Sequence, residues 1–224
     1  VFTVFAVDFL YYFYHRFSHR VNLGWATHAI HHQSEEYNLS VALRQPWFAK
    51  FYAWIIYLPL ALLGVPVEMY ATAFAFNLLY QFWIHTEAID KMPKWFESVM
   101  NTPSHHRVHH ATNPRYLDTN YAGVFIVWDK IFGTFVPERE DDKPIYGIVK
   151  PLNTYNPLWI AFHEFTGLVK DCASDGFRPD RWFRRAANAP GWSPDGNHNR
   201  SVELKHAYVE AHPDQAGQPG LPKA

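Results

Sequence analysis

Imidazoles recur at helical spacing in three places along this chain, and that recurrence limits what it can fold into. The clusters are His15-Arg16-Phe17-Ser18-His19 (HxxxH), His28-Ala29-Ile30-His31-His32 (HxxHH) and His106-Arg107-Val108-His109-His110 (HxxHH). On a helix, side chains three and four residues apart share a face. Each cluster therefore offers two or three imidazoles to a common side, and His15 and His19 can bind one metal together. Eight rings exceed the needs of one ion and suit two, with His85 and His105 in reserve. Neutral imidazole is a ligand for iron, zinc, copper or nickel.

The ordinary zinc patterns do not fit. HExxH is absent, because Arg16 and Ala29 follow the first histidine of the first two clusters. A structural zinc takes four ligands and leaves half of the set unused. Carboxylate-rich di-iron bundles use Glu-x-x-His pairs, and here the paired positions hold histidine. What remains is a dinuclear centre in a neutral shell. Such a shell leaves metal charge uncompensated and favours oxygen-derived anions. A pH-sensing histidine surface also clusters imidazoles, but it has no reason to repeat this spacing. His163, His198, His206 and His212 lack partners at ligand spacing and read as ordinary polar residues.

Between the clusters lie apolar stretches. Residues 1–14 carry one charge, Asp8; residues 47–67 carry one, Lys50; residues 69–84 carry none. A spanning helix needs about 20 apolar residues, so 47–67 and 69–84, divided at Gly64-Val65-Pro66, read as a helical hairpin that spans the bilayer or re-enters it. Trp47, Tyr52, Trp54, Tyr57, Tyr80 and Trp83 supply interfacial anchors. The apolar start at Val1 carries the expectation of further membrane helix before it. A buried hairpin of a soluble protein is the competing reading. The expected fold is all-α: an integral-membrane helical domain with apolar hairpins and a His-rich di-metal site on one face of the bilayer. Residues 1–137 are expected as the catalytic domain, 138–192 as an extension packed on it, and 193–224, rich in Gly, Pro, Asn and Asp, as a loose polar tail. A net charge of -1 gives no sign of a nucleic-acid partner, and the single Cys172 excludes an internal disulfide framework and a Cys-based metal site.

The three motifs between apolar hairpins resemble the fatty acid hydroxylase and sterol desaturase superfamily. The strings DFLYYFYHRFSHRVNLGWATHAIHHQSEEYNLSVALRQ, FNLLYQFWIHTEAI, NTPSHHRVHH, NYAGVFIVWDKIFGTF, YGIVKPLNTYNP and APGW resemble its alkylglycerol (glyceryl-ether) monooxygenase branch. The resemblance covers most of Asp8 to Trp192. It implies a membrane domain with a cytosol-facing site of two irons. The implied ligands are His15, His19, His28, His31, His32, His106, His109 and His110, with His85 matching a further family histidine. The implied reaction is O2-dependent hydroxylation of the ether-linked alkyl carbon of an alkylglycerol, releasing a fatty aldehyde, with tetrahydrobiopterin as the electron donor. Relatives act on sterols or acyl chains with other donors. One position departs: the branch tends to carry an acid after HxxxH, and here it is Arg20.

The reaction class has a physical logic. A C–H bond beside an ether oxygen has no acidic proton, so acid–base side chains alone cannot attack it and a metal centre must. Glu35, Glu36, Glu87, Asp118, Asn120 and Asp129 lie near the clusters in sequence and are candidates to orient ligands. Glu87 is the first choice, with Glu36 and Asp118 beside it. Arg44 and Arg107 are expected to pair with such acids, and Tyr121, Phe125 and Trp128 to pack. No cofactor-binding residue is assigned. Two other classes compete. A metal-binding membrane transporter or sensor predicts histidines or acids inside 47–67 and 69–84 and finds none there. A bis-His haem carrier needs two axial ligands, not eight.

Overall fold

A computed structural model describes residues 1–223. Among the described residues ten α-helices follow in chain order: α1 Phe2–Arg20, α2 Asn22–His32, α3 Lys50–Leu62, α4 Val67–Ile84, α5 Lys94–Glu97, α6 Pro103–His109, α7 Val127–Ile131, α8 Pro157–Ser174, α9 Pro179–Ala187 and α10 Ser201–Ala211. The described residues form no sheet, only isolated bridges. The all-α expectation holds.

α1 carries neither Gly nor Pro, and His19 and Arg20 in its last turn complement the helix dipole. Val21 is extended and ends it, and α2 starts at once. α2 lies close on α1 because residue 24 is glycine: a Cβ there would stand 2.8 Å from the Phe17 carbonyl oxygen. α1 also packs on α3 and α4, around a core of Val7, Tyr57, Leu60 and Ala73. A second core of Val108, Ala111, Tyr116 and Val136 lies under α6.

The charge inside the first apolar run is an organising group. Asp8 is fully buried and accepts hydrogen bonds from Asn77 Nδ2 (2.6 Å), the Val124 and Phe125 amides (2.7 and 3.0 Å) and Trp128 Nε1 (2.8 Å). It ties α1 to α4 and to the start of α7.

The spanning hairpin requires correction. No described helix is long and apolar enough to cross a membrane. Residues 47–49 form a turn, so α3 keeps 13 residues, about 20 Å at 1.5 Å per residue, against a hydrocarbon core of about 30 Å. α4 has 18 residues but includes Glu68, Asn77 and Gln81. The hairpin nevertheless stays uncovered, at its tip and along α4: Leu62 and Leu79 are 80% and 71% exposed.

Residues 193–223, expected as a loose tail, instead carry α10 and return to the body. Arg115, almost fully buried, donates to Asp142 (3.1 Å), Gln215 (2.6 Å), Gln218 (3.2 Å) and the Pro219 carbonyl (3.3 Å). A buried guanidinium needs such partners, and the end of the chain supplies three of them.

Candidate metal centre

α1, α2, the end of α4 and α6 converge their imidazoles on one buried region. Two groups form. His15, His19, His28, His32 and His109 bring ligand atoms within 4.8 Å of one another, and so do His31, His85, His106 and His110. Each HxxHH motif is divided between the groups. Its i,i+4 pair, His28 with His32 or His106 with His110, stays together, while His31 and His109 cross to the other group. At 100° per residue, positions i and i+4 lie 40° apart, and position i+3 lies 100° from i+4. One helix thus faces both groups. The spacing argument grouped each motif to one side and missed this division.

The ring tautomers can be read from their backbone partners. The Nδ1–H of His15 donates to the Tyr121 carbonyl (2.9 Å), that of His31 to Val41 (3.1 Å), that of His85 to Gln81 (2.7 Å) and that of His109 to Thr119 (2.9 Å). A carbonyl only accepts, so the proton is on Nδ1 and the Nε2 lone pair faces inward. His31 Nε2 and His85 Nε2 lie 3.2 Å apart, and His106 Nε2 lies 3.0 Å from His85 Nε2. For His31 and His85 this sets lone pair against lone pair. Burial holds the imidazolium form away, with His31 pushed down to about 4 and His15 and His85 to about 3. No proton is then available to bridge the gap, and a cation is the partner that suits it. Nε2 of His19, His32 and His109 is buried without a partner, which is costly unless a ligand satisfies it. The donor set therefore fits metal in both groups. It contains no carboxylate.

One loop fixes two of the ligands. Thr119 and Tyr121, whose carbonyls hold His109 and His15, flank Asn120, which adopts φ 54°. Asn120 Nδ2 donates to the carbonyls of His105 (3.0 Å) and Val136 (2.8 Å), and its Oδ1 accepts the Val136 amide (2.8 Å). Asp129 accepts the amides of Tyr121 and Ala122 (both 2.8 Å) and the Thr134 hydroxyl (2.6 Å). Burial raises its carboxyl to about 6.

The other sequence candidates fall in different places. His105 is buried but lies outside both groups, edge-on to Phe135. Asp118 stands beside the first group, with Oδ1 3.8 Å from His19 Nδ1, and is bound by Arg20 (3.5 Å) and the Ser201 hydroxyl. Glu87 is exposed and accepts from Tyr146 (3.0 Å), whose ring stacks on Tyr37, which in turn stacks on His85. Two aromatic rings thus separate this carboxylate from the histidine. Glu36 is exposed, and its backbone carbonyl accepts from Ser34. Arg44 binds Gln33 rather than an acid (2.8 Å). Arg107 pairs with Glu138 (2.6 Å) and donates to the carbonyls of Thr86, Ile89 and Asp90, clamping the segment that follows His85.

A cavity of about 540 Å³ reaches this region, with His19, His32, His109 and His110 in its lining. Trp25, Ile148, Leu168 and Leu204 line it as well, and the exposed Lys150, Lys170 and Asp171 stand at its rim. Its size suits a small organic ligand.

The chain is similar to alkylglycerol monooxygenases. It is 50% identical to that of Homo sapiens over 84% of this chain and 41% of the relative. For the Xenopus tropicalis protein the identity is 46%, over 86% and 42%, and for the Danio rerio protein 46%, over 84% and 41%. The chain thus spans about two-fifths of the length of the curated relatives it matches. No solved structure gives a significant match. The fatty acid hydroxylase family model matches residues 1–134, which hold all nine converging histidines; the chain belongs to the fatty acid hydroxylase family.

Proposed function

We propose that this chain carries the di-iron centre of an O2-dependent lipid hydroxylase, with an alkylglycerol as substrate. The observation that carries the reading is the double histidine group with its inward-facing, proton-free Nε2 atoms. The names of the relatives support the substrate. His15, His19, His28, His32 and His109 would hold one iron, and His31, His85, His106 and His110 the other; His105 is left without a metal role. When bound, two irons there would supply the O2 activation needed to attack a carbon that no side chain can deprotonate.

The chain's own part is to hold, to shield and to admit. The carbonyls of Val41, Gln81, Thr119 and Tyr121 keep four rings in one tautomer. Asp118 accepts positive charge that spreads onto His19. The cavity brings the alkyl carbon to the histidines. In such a reaction one oxygen atom of O2 would enter the C–H bond and the other would leave as water, with two electrons and two protons supplied by a reductant such as a reduced pterin. The hemiacetal then splits into a fatty aldehyde and a glycerol. The exposed apolar hairpin α3–α4 supports insertion into one leaflet, with the histidines on the cytosolic side.

A second reading, a sterol or fatty-acyl hydroxylase or desaturase with another donor, is favoured by Arg20, a cation where the branch tends to place an acid. Metal analysis combined with aldehyde release from 1-O-hexadecylglycerol, with and without tetrahydrobiopterin, separates the two. Two irons and pterin-dependent aldehyde are expected. Two irons without turnover would move the substrate to sterols or acyl lipids, and fewer than two metals after iron reconstitution would defeat the dinuclear assignment.

A further inference from the structure

α8 lies wholly outside residues 1–134, the span of the family match, yet it builds one wall of the cavity over the histidines. It presents Trp159, His163, Gly167 and Lys170 there, a stripe at intervals of three and four residues. Gly167 is mid-helix, where glycine weakens the backbone relative to almost any other residue. Its own surroundings do not require it: a Cβ at this position would meet no atom within 4 Å. Gly24 is the opposite case, forced by the carbonyl it touches. The room at Gly167, an exposed position of the helix, is therefore open, in a cavity lined also by His19, His32 and His109.

The position of α8 indicates what uses that room. Phe162 and Phe165 pack against Phe48 at 5.5 and 5.2 Å between ring centroids, so the helix adjoins the turn that leads into α3. Its cavity side ends in charged residues, with Lys170 and Asp171 on α8 and Lys150 nearby. Apolar Trp25, Ile148, Leu168 and Leu204 line the cavity and the charged residues stand at its rim, which suits a molecule with one apolar chain and one hydroxylated end. We propose that Gly167 is a specificity-determining position: it holds the α8 wall open for a single-chain amphiphile whose polar end rests at Lys150, Lys170 and Asp171. This rests on the reading of the chain as a lipid hydroxylase.

The test uses the full chain loaded with metal, and follows binding of 1-O-hexadecylglycerol through the fluorescence of the tryptophans, Trp25 and Trp159 lying in the cavity. Metal content, melting temperature and aldehyde release are measured in parallel. Gly167→Ala is expected to bind like wild type. Gly167→Phe is expected to weaken binding about tenfold or more, the scale set by a misfitted apolar group, with metal content unchanged. Gly167→Leu, a good helix former, repeats the test should Phe perturb folding. Equal binding by all forms, loss of binding only together with loss of metal, or no binding to wild type would each overturn the assignment. Binding by wild type that Gly167→Phe weakens, without aldehyde release, would sustain the cavity assignment and overturn the reaction.

Discussion

His85 and His105 look alike in the sequence, each a single imidazole beside the repeated motifs, and the fold gives them different surroundings. His85 meets His31, His106 and His110, whereas His105 faces Phe135. His85→Ala is expected to lower metal content well below two per chain, and His105→Ala to leave it unchanged, by elemental analysis of purified protein. Arg107 acts on His85 through the backbone it clamps. Lysine lacks the planar fork that reaches Glu138 and three carbonyls together. Arg107→Lys is expected to cost about 3 kcal/mol in denaturant unfolding, the scale of a broken buried pair, and to weaken the group containing His85 more than the other. The motif histidines were legible because spacing alone exposes them. The orienting groups were not. Glu87 is near His85 in sequence but two rings away in space, and the true holders of the rings are carbonyls, which carry no sequence identity.

At the scale of elements, helix positions followed from period and from turn signals, and the crossing of α1 with α2 depends on one small residue. Gly24→Val is expected to force α2 off α1 and to separate His28 from His15, now 3.1 Å apart between Nε2 atoms. Loss of metal from the first group without loss of helical circular dichroism would register it. The loop of Thr119, Asn120 and Tyr121 is a second lever. Asn120→Ala removes three buried hydrogen bonds and places alanine at a positive φ. A destabilisation of about 2–4 kcal/mol is expected. The spanning length read from residues 47–67 failed for a specific reason: composition counts apolar residues, but the turn at 47–49 and the Leu63–Pro66 turn shorten the helix to 13. The tail was misread because its anchor, Arg115, lies about a hundred residues upstream.

The molecule as a whole buries nine imidazoles in neutral form, and that sets its response to acid. In metal-free protein His15, His31 and His85 are held at about 3, about 4 and about 3 by burial. Imidazoles of the unfolded chain titrate near 6.5. Above that pH both states are neutral and these groups do not bias folding. Below it the unfolded chain takes up protons first, so stability falls from about pH 6.5 down to about pH 3. Calorimetry of stripped protein should show the melting temperature dropping through this window, and a flat profile would contradict it. The uncovered hairpin makes its own prediction. Leu62→Glu with Leu79→Glu should reduce flotation with phosphatidylcholine vesicles while metal content stays constant, because both side chains are surface-exposed. Finally, α2 and α6 each hold rings of both groups. Filling one group fixes the helices that carry ligands of the other. A half-loaded protein should therefore be scarce, and the metal titration steeper than two independent sites allow. Neither half of the centre can be rebuilt without remaking its neighbour.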